Sequence, residues 1–262
     1  MEPREAVVLI TGASSGIGRA TALAFDRAGA RVAIAARRLP RLEKLAGEMH
    51  DALVVRTDLS VDGEAEAMVA KTIDHFGRLD VLVNNAGAAA PRSADRLRAE
   101  TTRALLETNL VGAMIATRLA AEQMRKQGYG HVINVCSPAG LLGIPLMADY
   151  GASKAAMSGW TRSLQAEWKG SGIEVTEVLP GLIATELGQP DRDDGDPPAA
   201  ARIGPLSPLP PERLAARIVA CVRRPRQVVY SDPGARLATW LSYVPRVRLA
   251  IGAAIARAAG DR

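Results

Sequence analysis

The sequence predicts an α/β protein, a single domain with a doubly wound parallel sheet and helices on both faces. Three observations predict it. Short β-branched runs alternate with longer helical patterns along most of the chain. The runs are apolar on both faces, as strands sandwiched between two helix layers must be. No internal repeat or composition break marks a second unit, and 262 residues is near the length of one large domain.

Residues 6–10 read as the first strand, and 17–28 as a helix closed by Gly29. A strand at 31–36 follows, then a helix at 39–49 with Pro40 in its first turn. Residues 52–56 form the third strand, and 62–76 a helix ended by Gly77. The fourth strand is expected at 80–83, before one long helix over 102–127 that Gly128 ends. Strands at 131–136 and 173–178 flank a helix at 148–169, and 227–230 supplies a seventh strand after a helix at 211–224. Residues 186–211, rich in Pro, Asp and Gly, are too long for an ordinary connection and read as a substrate lid loop or a disordered insertion. The expected division is one doubly wound domain over 1–232 and an amphipathic helical extension over 233–262.

Composition removes several function classes. Aromatic residues make up 3%, so no run of stacking platforms for bases exists. The net charge of +5 is modest and its arginines are spread along the chain, which argues against a nucleic-acid partner. Two cysteines cannot make a disulfide framework and suit a cytoplasmic protein. The first residues carry no apolar signal core, and no run approaches the roughly 18 residues of a membrane span. His50, His75 and His131 are scattered without metal-ligand spacing, so no metal is expected.

Chemistry begins in the turn after the first strand. Gly12, Ser14, Ser15, Gly16, Ile17 and Gly18 lie in TGASSGIG. Glycines there let the backbone approach a pyrophosphate at the positive end of the following helix, whereas a plain tight turn would need no βαβ setting. An acidic residue after the second strand would accept the ribose hydroxyls of NAD. Ala36 holds that place, followed by Arg37 and Arg38. No carboxylate repels a 2′-phosphate and two guanidiniums can grip one, so NADP(H) is expected over NAD(H).

Tyr150 and Lys154 are four residues apart at the start of an expected helix and share a face. A phenol titrates near 10, too high for a base at neutrality. A neighbouring ammonium favours the phenolate, so Lys154 is expected to lower the Tyr150 pKa, and Tyr150 can exchange a proton with a carbonyl or alcohol oxygen. Ser137, at the carboxyl end of the fifth strand, can hold that oxygen. Cys136 beside it has no histidine partner in these motifs and reads as packing rather than as a nucleophile.

In these residues the sequence resembles the short-chain dehydrogenase/reductases over about residues 6–185. TGASSGIG matches the family's cofactor loop, and Asp58-Leu59 its adenine contact. Asn85, Ala86 and Gly87 belong to an NNAG motif bordering the cofactor. Asn109 matches the residue credited with a proton-relay water and, with Ser137, Tyr150 and Lys154, completes the catalytic tetrad. Pro180, Gly181, Ile183 and Thr185 match the segment that touches the nicotinamide and phosphates. The resemblance implies a Rossmann-like NADP(H)-dependent carbonyl reductase or alcohol dehydrogenase, with Lys154 also on the nicotinamide ribose. Some relatives carry a basic residue within the glycine loop; Ser15 departs from that, leaving the NADP preference on the Arg37 side. Asp58 can equally cap the next helix.

The extension reads as two amphipathic helices broken near Pro245. Leu237, Trp240, Leu241 and Val244 form one stripe, and Val247, Ile251, Ala254, Ile255 and Ala258 another. Packing on the domain or on a subunit is the plain expectation. Peripheral membrane contact through Arg236, Arg246, Arg248 and Arg257 is the sharper one. Extensions of this kind in the family make a lipophilic substrate plausible, and its long helices imply a homodimer or homotetramer. Three other functions compete: an NAD-dependent alcohol dehydrogenase, an epimerase or dehydratase that recycles its cofactor, and a non-catalytic cofactor sensor or scaffold.

Overall fold

The computed structural model describes residues 1–187 and 208–258, with side chains through residue 254. Its strands are Val7–Thr11 (β1), Arg31–Ala36 (β2), Ala52–Arg56 (β3), Val81–Asn84 (β4), Gly130–Val135 (β5), Ile173–Leu179 (β6) and Val228–Tyr230 (β7). They form one sheet in the order β3-β2-β1-β4-β5-β6-β7, with every pairing parallel. The helices are Gly16–Arg27 (α1), Leu39–Ala46 (α2), Glu64–Phe76 (α3), Ala99–Leu106 (α4), Gly112–Gln127 (α5), Ala139–Leu142 (α6), Ala148–Glu167 (α7), Pro211–Arg223 (α8), Pro233–Leu241 (α9) and Pro245–Ala258 (α10).

Strand alternation builds two cores from one sheet. Val8 and Ile10 face the layer of α1, α2 and α8, where Phe25, Leu42, Leu214 and Ile218 are buried. Val7 and Leu9 face the layer of α3, α5 and α7, against Met68, Ala120, Met124 and Leu164. The chain runs outward from β1 to β3, then crosses back to β4 on the other side of β1. That reversal opens a crevice at the carboxyl ends of β1 and β4, where ligands bind in such sheets.

The expected helix over 102–127 is three pieces. Helix α4 starts three residues earlier, a π turn occupies Glu107–Val111, and α5 follows. Two contacts account for the extra residue. Asn109 is turned inward to the backbone of Ala88, and Gly112 lies so close to Leu59 that a Cβ would sit 2.7 Å from its carbonyl oxygen. Other differences are at element ends: the second helix stops at Ala46, the third starts at Glu64, and α7 stops at Glu167. The short α6 was not expected. Most of the 186–211 loop lies outside the described residues. Its ends are described: Ile183 pairs with Leu209, and Pro211 begins α8.

Polar groups cross the buried side of the sheet in a row. Asn84 donates to Thr117 at 2.8 Å and to Asn134 at 2.9 Å, and Asn134 donates to Thr161 at 2.9 Å. All four residues are buried and lie on α5, β4, β5 and α7 in turn.

Candidate active site

The glycine loop is cut for close approach. Gly12 and Gly16 have φ of +66° and +53°, the left-handed region that side chains disfavour. A Cβ on Gly18 would lie 2.3 Å from the Gly12 carbonyl oxygen. Thr11 Oγ1 accepts from the amides of Asn85 and Ala86, both at 3.0 Å. Asn85 Nδ2 donates to the carbonyls of Thr11 and Gly12 at 2.9 and 3.2 Å. Asn85 thereby tethers the loop to the end of β4. Ser15 precedes α1 without a side-chain cap on it, so the first-turn amides face the crevice for an anion. A dinucleotide pyrophosphate fits that cradle.

The two arginines after β2 differ. Arg37 is exposed and forms no ion pair among the described residues. Arg38 reaches back over the loop: Nη2 donates to Ser14 and Ser15 at 3.0 and 2.8 Å, and Nε to Ser14 at 3.2 Å. The fold thus brings a guanidinium to the glycine loop although Ser15 itself is not basic. Glu186 pairs with Arg38 at 3.0 Å and with Arg41 at 2.5 Å. The Arg41 hydrogen bond, with Arg38 behind it, outweighs the opposing effect of burial and holds this carboxyl below its usual range. No local sequence pattern marks Glu186 as a partner of residues nearly 150 positions away.

Asp58 does not cap α3, whose N-cap is Gly63. It accepts from the Ser60 amide and hydroxyl at 3.0 and 2.7 Å, an Asx turn. Burial pushes its pKa up, but the Ser60 bonds and the charges of Arg37 and Arg56 outweigh it and hold the carboxyl low. Leu59 packs under Gly112. The segment after Pro180 is anchored along its length. The Gly181 amide donates to Ser231 at 2.7 Å, Ile183 pairs with Leu209, and Thr185 packs against Gly16.

Ser137, Tyr150 and Lys154 come together beyond β5. Tyr150 is buried among Leu105 and Ala139, with Ala89, Ile144 and Met147 packed alongside. Lys154 Nζ is buried, donates to the Val135 carbonyl at 2.8 Å and lies 6.0 Å from the Tyr150 ring centre. The expected lowering of the Tyr150 pKa is absent in the protein by itself. Burial pushes the phenol up to about 12, and the Ser137 hydroxyl, which pulls the other way, does not offset it. Burial also pushes the Lys154 ammonium down. The expectation counted the charge and left out the cost of desolvating both groups.

Asn109 is fully buried in the π turn. Its Oδ1 accepts from the Ala88 amide at 2.7 Å, and its Nδ2 donates to the Ala88 carbonyl at 2.9 Å and to Ser153 at 3.0 Å. The side chain is therefore spent on holding the Gly87–Ala88 corner. A Cβ on Gly87 would be 3.5 Å from Lys154 Nζ and 3.6 Å from Asn109 Oδ1, so this glycine lets the two converge. Ser153, absent from the expected site, bridges Asn109 to the Tyr150 carbonyl at 2.7 Å. Cys136 is pushed up to about 11 by burial, which keeps it a thiol. Among the described residues no cluster of His, Cys, Asp or Glu could hold a metal.

An uncapped glycine cradle at a switch point, next to buried Tyr150 and Lys154 and half-buried Ser137, suits a nicotinamide-nucleotide oxidoreductase. The chain belongs to the short-chain dehydrogenase family, whose model matches residues 6–196. An uncharacterized oxidoreductase of Thermotoga maritima is 41% identical over 187 residues, covering 69% of this chain and 72% of that one. A short-chain dehydrogenase/reductase from Burkholderia phymatum, solved with NAD, superposes with a TM-score of 0.82 at 25% identity, covering 92% of this chain and 94% of that one. An alcohol dehydrogenase from Thermococcus sibiricus, solved with 5-hydroxy-NADP, gives a TM-score of 0.75 at 27% identity, over 86% and 95%.

Proposed function

We propose that this chain is an NADP(H)-dependent oxidoreductase acting on a carbonyl or secondary alcohol of a lipophilic substrate. One observation carries the cofactor choice: Arg38 is held over Ser14 and Ser15, with exposed Arg37 beside it and no carboxylate at the end of β2. A ribose 2′-phosphate reaching this corner would meet two guanidiniums and two hydroxyls. The pyrophosphate would lie on the α1 amides. Asp58 would border the adenine, and Thr185 and Ile183 the nicotinamide end.

When bound, the nicotinamide supplies or takes up the hydride. This chain's own groups handle the oxygen and its proton. Tyr150, neutral through the ordinary pH range, donates its proton to the carbonyl oxygen as that oxygen gains charge. Ser137 holds the same oxygen by a hydrogen bond. Lys154 would bond the nicotinamide ribose and, with the positive ring of an oxidised cofactor, favour the phenolate for the reverse direction. Asn109 fixes the corner between them with its side chain; a proton-relay water at this residue would have to be held by its main chain. The apolar neighbours of Tyr150 support a lipophilic substrate. The long helices α5 and α7 would build a homodimer or homotetramer. Two free buried thiols suit the reducing cytoplasm.

The test is a titration of the purified protein with NADPH and NADH. The expected result is tighter NADPH binding, weakened at least tenfold in Arg38→Ala with NADH little changed. Equal affinity for both nucleotides, or an Arg38→Ala variant that leaves NADPH unaffected, would overturn the cofactor assignment.

A further inference from the structure

Helices α9 and α10 pack inward through small residues. Ala235, Thr239 and Ser242 are buried, and Gly252 rests on Gly143, where a Cβ would be 3.1 Å from the carbonyl oxygen. Leu241, Val247 and Ile251 are partly buried, but most of the large apolar side chains are not. Leu237, Trp240, Tyr243, Val244 and Leu249 are all exposed, Trp240 at 68% and Leu249 at 70%. A domain of this size has little reason to leave five such side chains of one short segment in water. The segment from 233 to 258 contains no Asp or Glu. Arg236, Arg246 and Arg248 are exposed there and form no ion pair among the described residues.

Charge decides what covers this face. A two-fold contact between copies sets a patch against itself, so it would bring arginines of one copy against arginines of the other with no carboxylate between them. An anionic lipid surface meets both features at once. Its headgroups attract the arginines, and the boundary between headgroups and acyl chains suits exposed Trp, Tyr and Leu. We propose that α9 and α10 dock the protein peripherally on membranes rich in anionic lipid. Both helices pack beside α6, which begins two residues after Ser137. Docking would therefore turn this flank of the crevice toward the bilayer, where lipophilic substrates concentrate. The docking stands on the surface alone and does not need the cofactor assignment.

The full-length protein should be mixed with phosphatidylcholine vesicles, with and without about a third phosphatidylglycerol. Trp240 makes the contact visible, because Trp168 is buried and Trp160 is partly so. Expected are co-sedimentation with the anionic vesicles only, release by salt, and a blue shift of the tryptophan emission. Trp240→Phe should lose most of that shift while still sedimenting. Reversing Arg246 and Arg248 to Glu should weaken sedimentation at least about 30-fold and leave nucleotide binding and circular dichroism unchanged. No sedimentation with anionic vesicles, or equal sedimentation with neutral ones, would overturn the proposal. So would a wild-type dimer that Leu249→Ala converts to monomer, because the face would then be a subunit contact.

Discussion

Single side chains decide what the crevice accepts. Glu186 occupies Arg38, one of the two guanidiniums that a 2′-phosphate would use, together with Arg41. Each pair is roughly half exposed, so each contributes well under about 1 kcal/mol. A dianionic phosphate can therefore displace the carboxylate, at a modest cost. Glu186→Gln removes the competitor and should tighten 2′,5′-ADP binding about threefold, with 5′-ADP unaffected. Calorimetry with the two nucleotides checks it; weaker 2′,5′-ADP binding would mean that Glu186 orders the site instead. Tyr150 sets the pH behaviour. Its burial raises the pKa, so the neutral form persists as pH rises toward about 12. Reduction needs that neutral form and should hold its rate from about pH 6 to about pH 9, whereas oxidation needs the phenolate and should speed up with pH. Paired pH profiles in the two directions, at saturating cofactor, check the sign.

At the scale of elements, most boundaries were legible because strand periodicity, closing glycines and Pro40 all mark them locally. The π turn was not. Its cause is an amide of Asn109 drawn to Ala88 and a glycine pressed on Leu59, both distant in sequence, while the apolar spacing over 102–127 stays helical. The candidate residues that converge on the crevice could be singled out for a similar reason: each sits in a short motif. Glu186 and Ser153 were not, because their partners lie on other elements. The β5–β6 pair also carries a buried histidine. His131 bonds Thr176 at 2.8 Å, and burial pushes it down to about 4. The unfolded chain protonates a histidine near 6.5, so it binds more protons than the folded chain below that pH. Stability from this group is present above about 6.5 and lost as pH falls toward 4, up to about 3 kcal/mol. Urea unfolding of His131→Gln should show a correspondingly smaller loss between about pH 7 and pH 4.5 than the parent protein.

For the whole molecule, the doubly wound sheet followed from alternating patterns alone, since a buried parallel sheet leaves few other arrangements. The extension was legible as two helices, but its stripe reads the same whether it packs inward or faces out. Only the small residues that close on the domain, Ala235, Thr239 and Ser242, decide that Leu237 and Trp240 are turned away. No helix among the described residues is long and apolar enough to cross a membrane.

The row from Thr117 through Asn84 and Asn134 to Thr161 has a consequence for how the chain finds this arrangement. Neighbouring apolar strands can slide past one another and still bury oil against oil. Two asparagines in the middle cannot, because a slip of one residue on β4 or β5 turns an amide to the opposite face and strands its partner. The row works as a key that admits one alignment and makes near-misses costly. Parallel sheets assemble slowly from distant segments, and such a key spares the chain from lingering in misaligned forms.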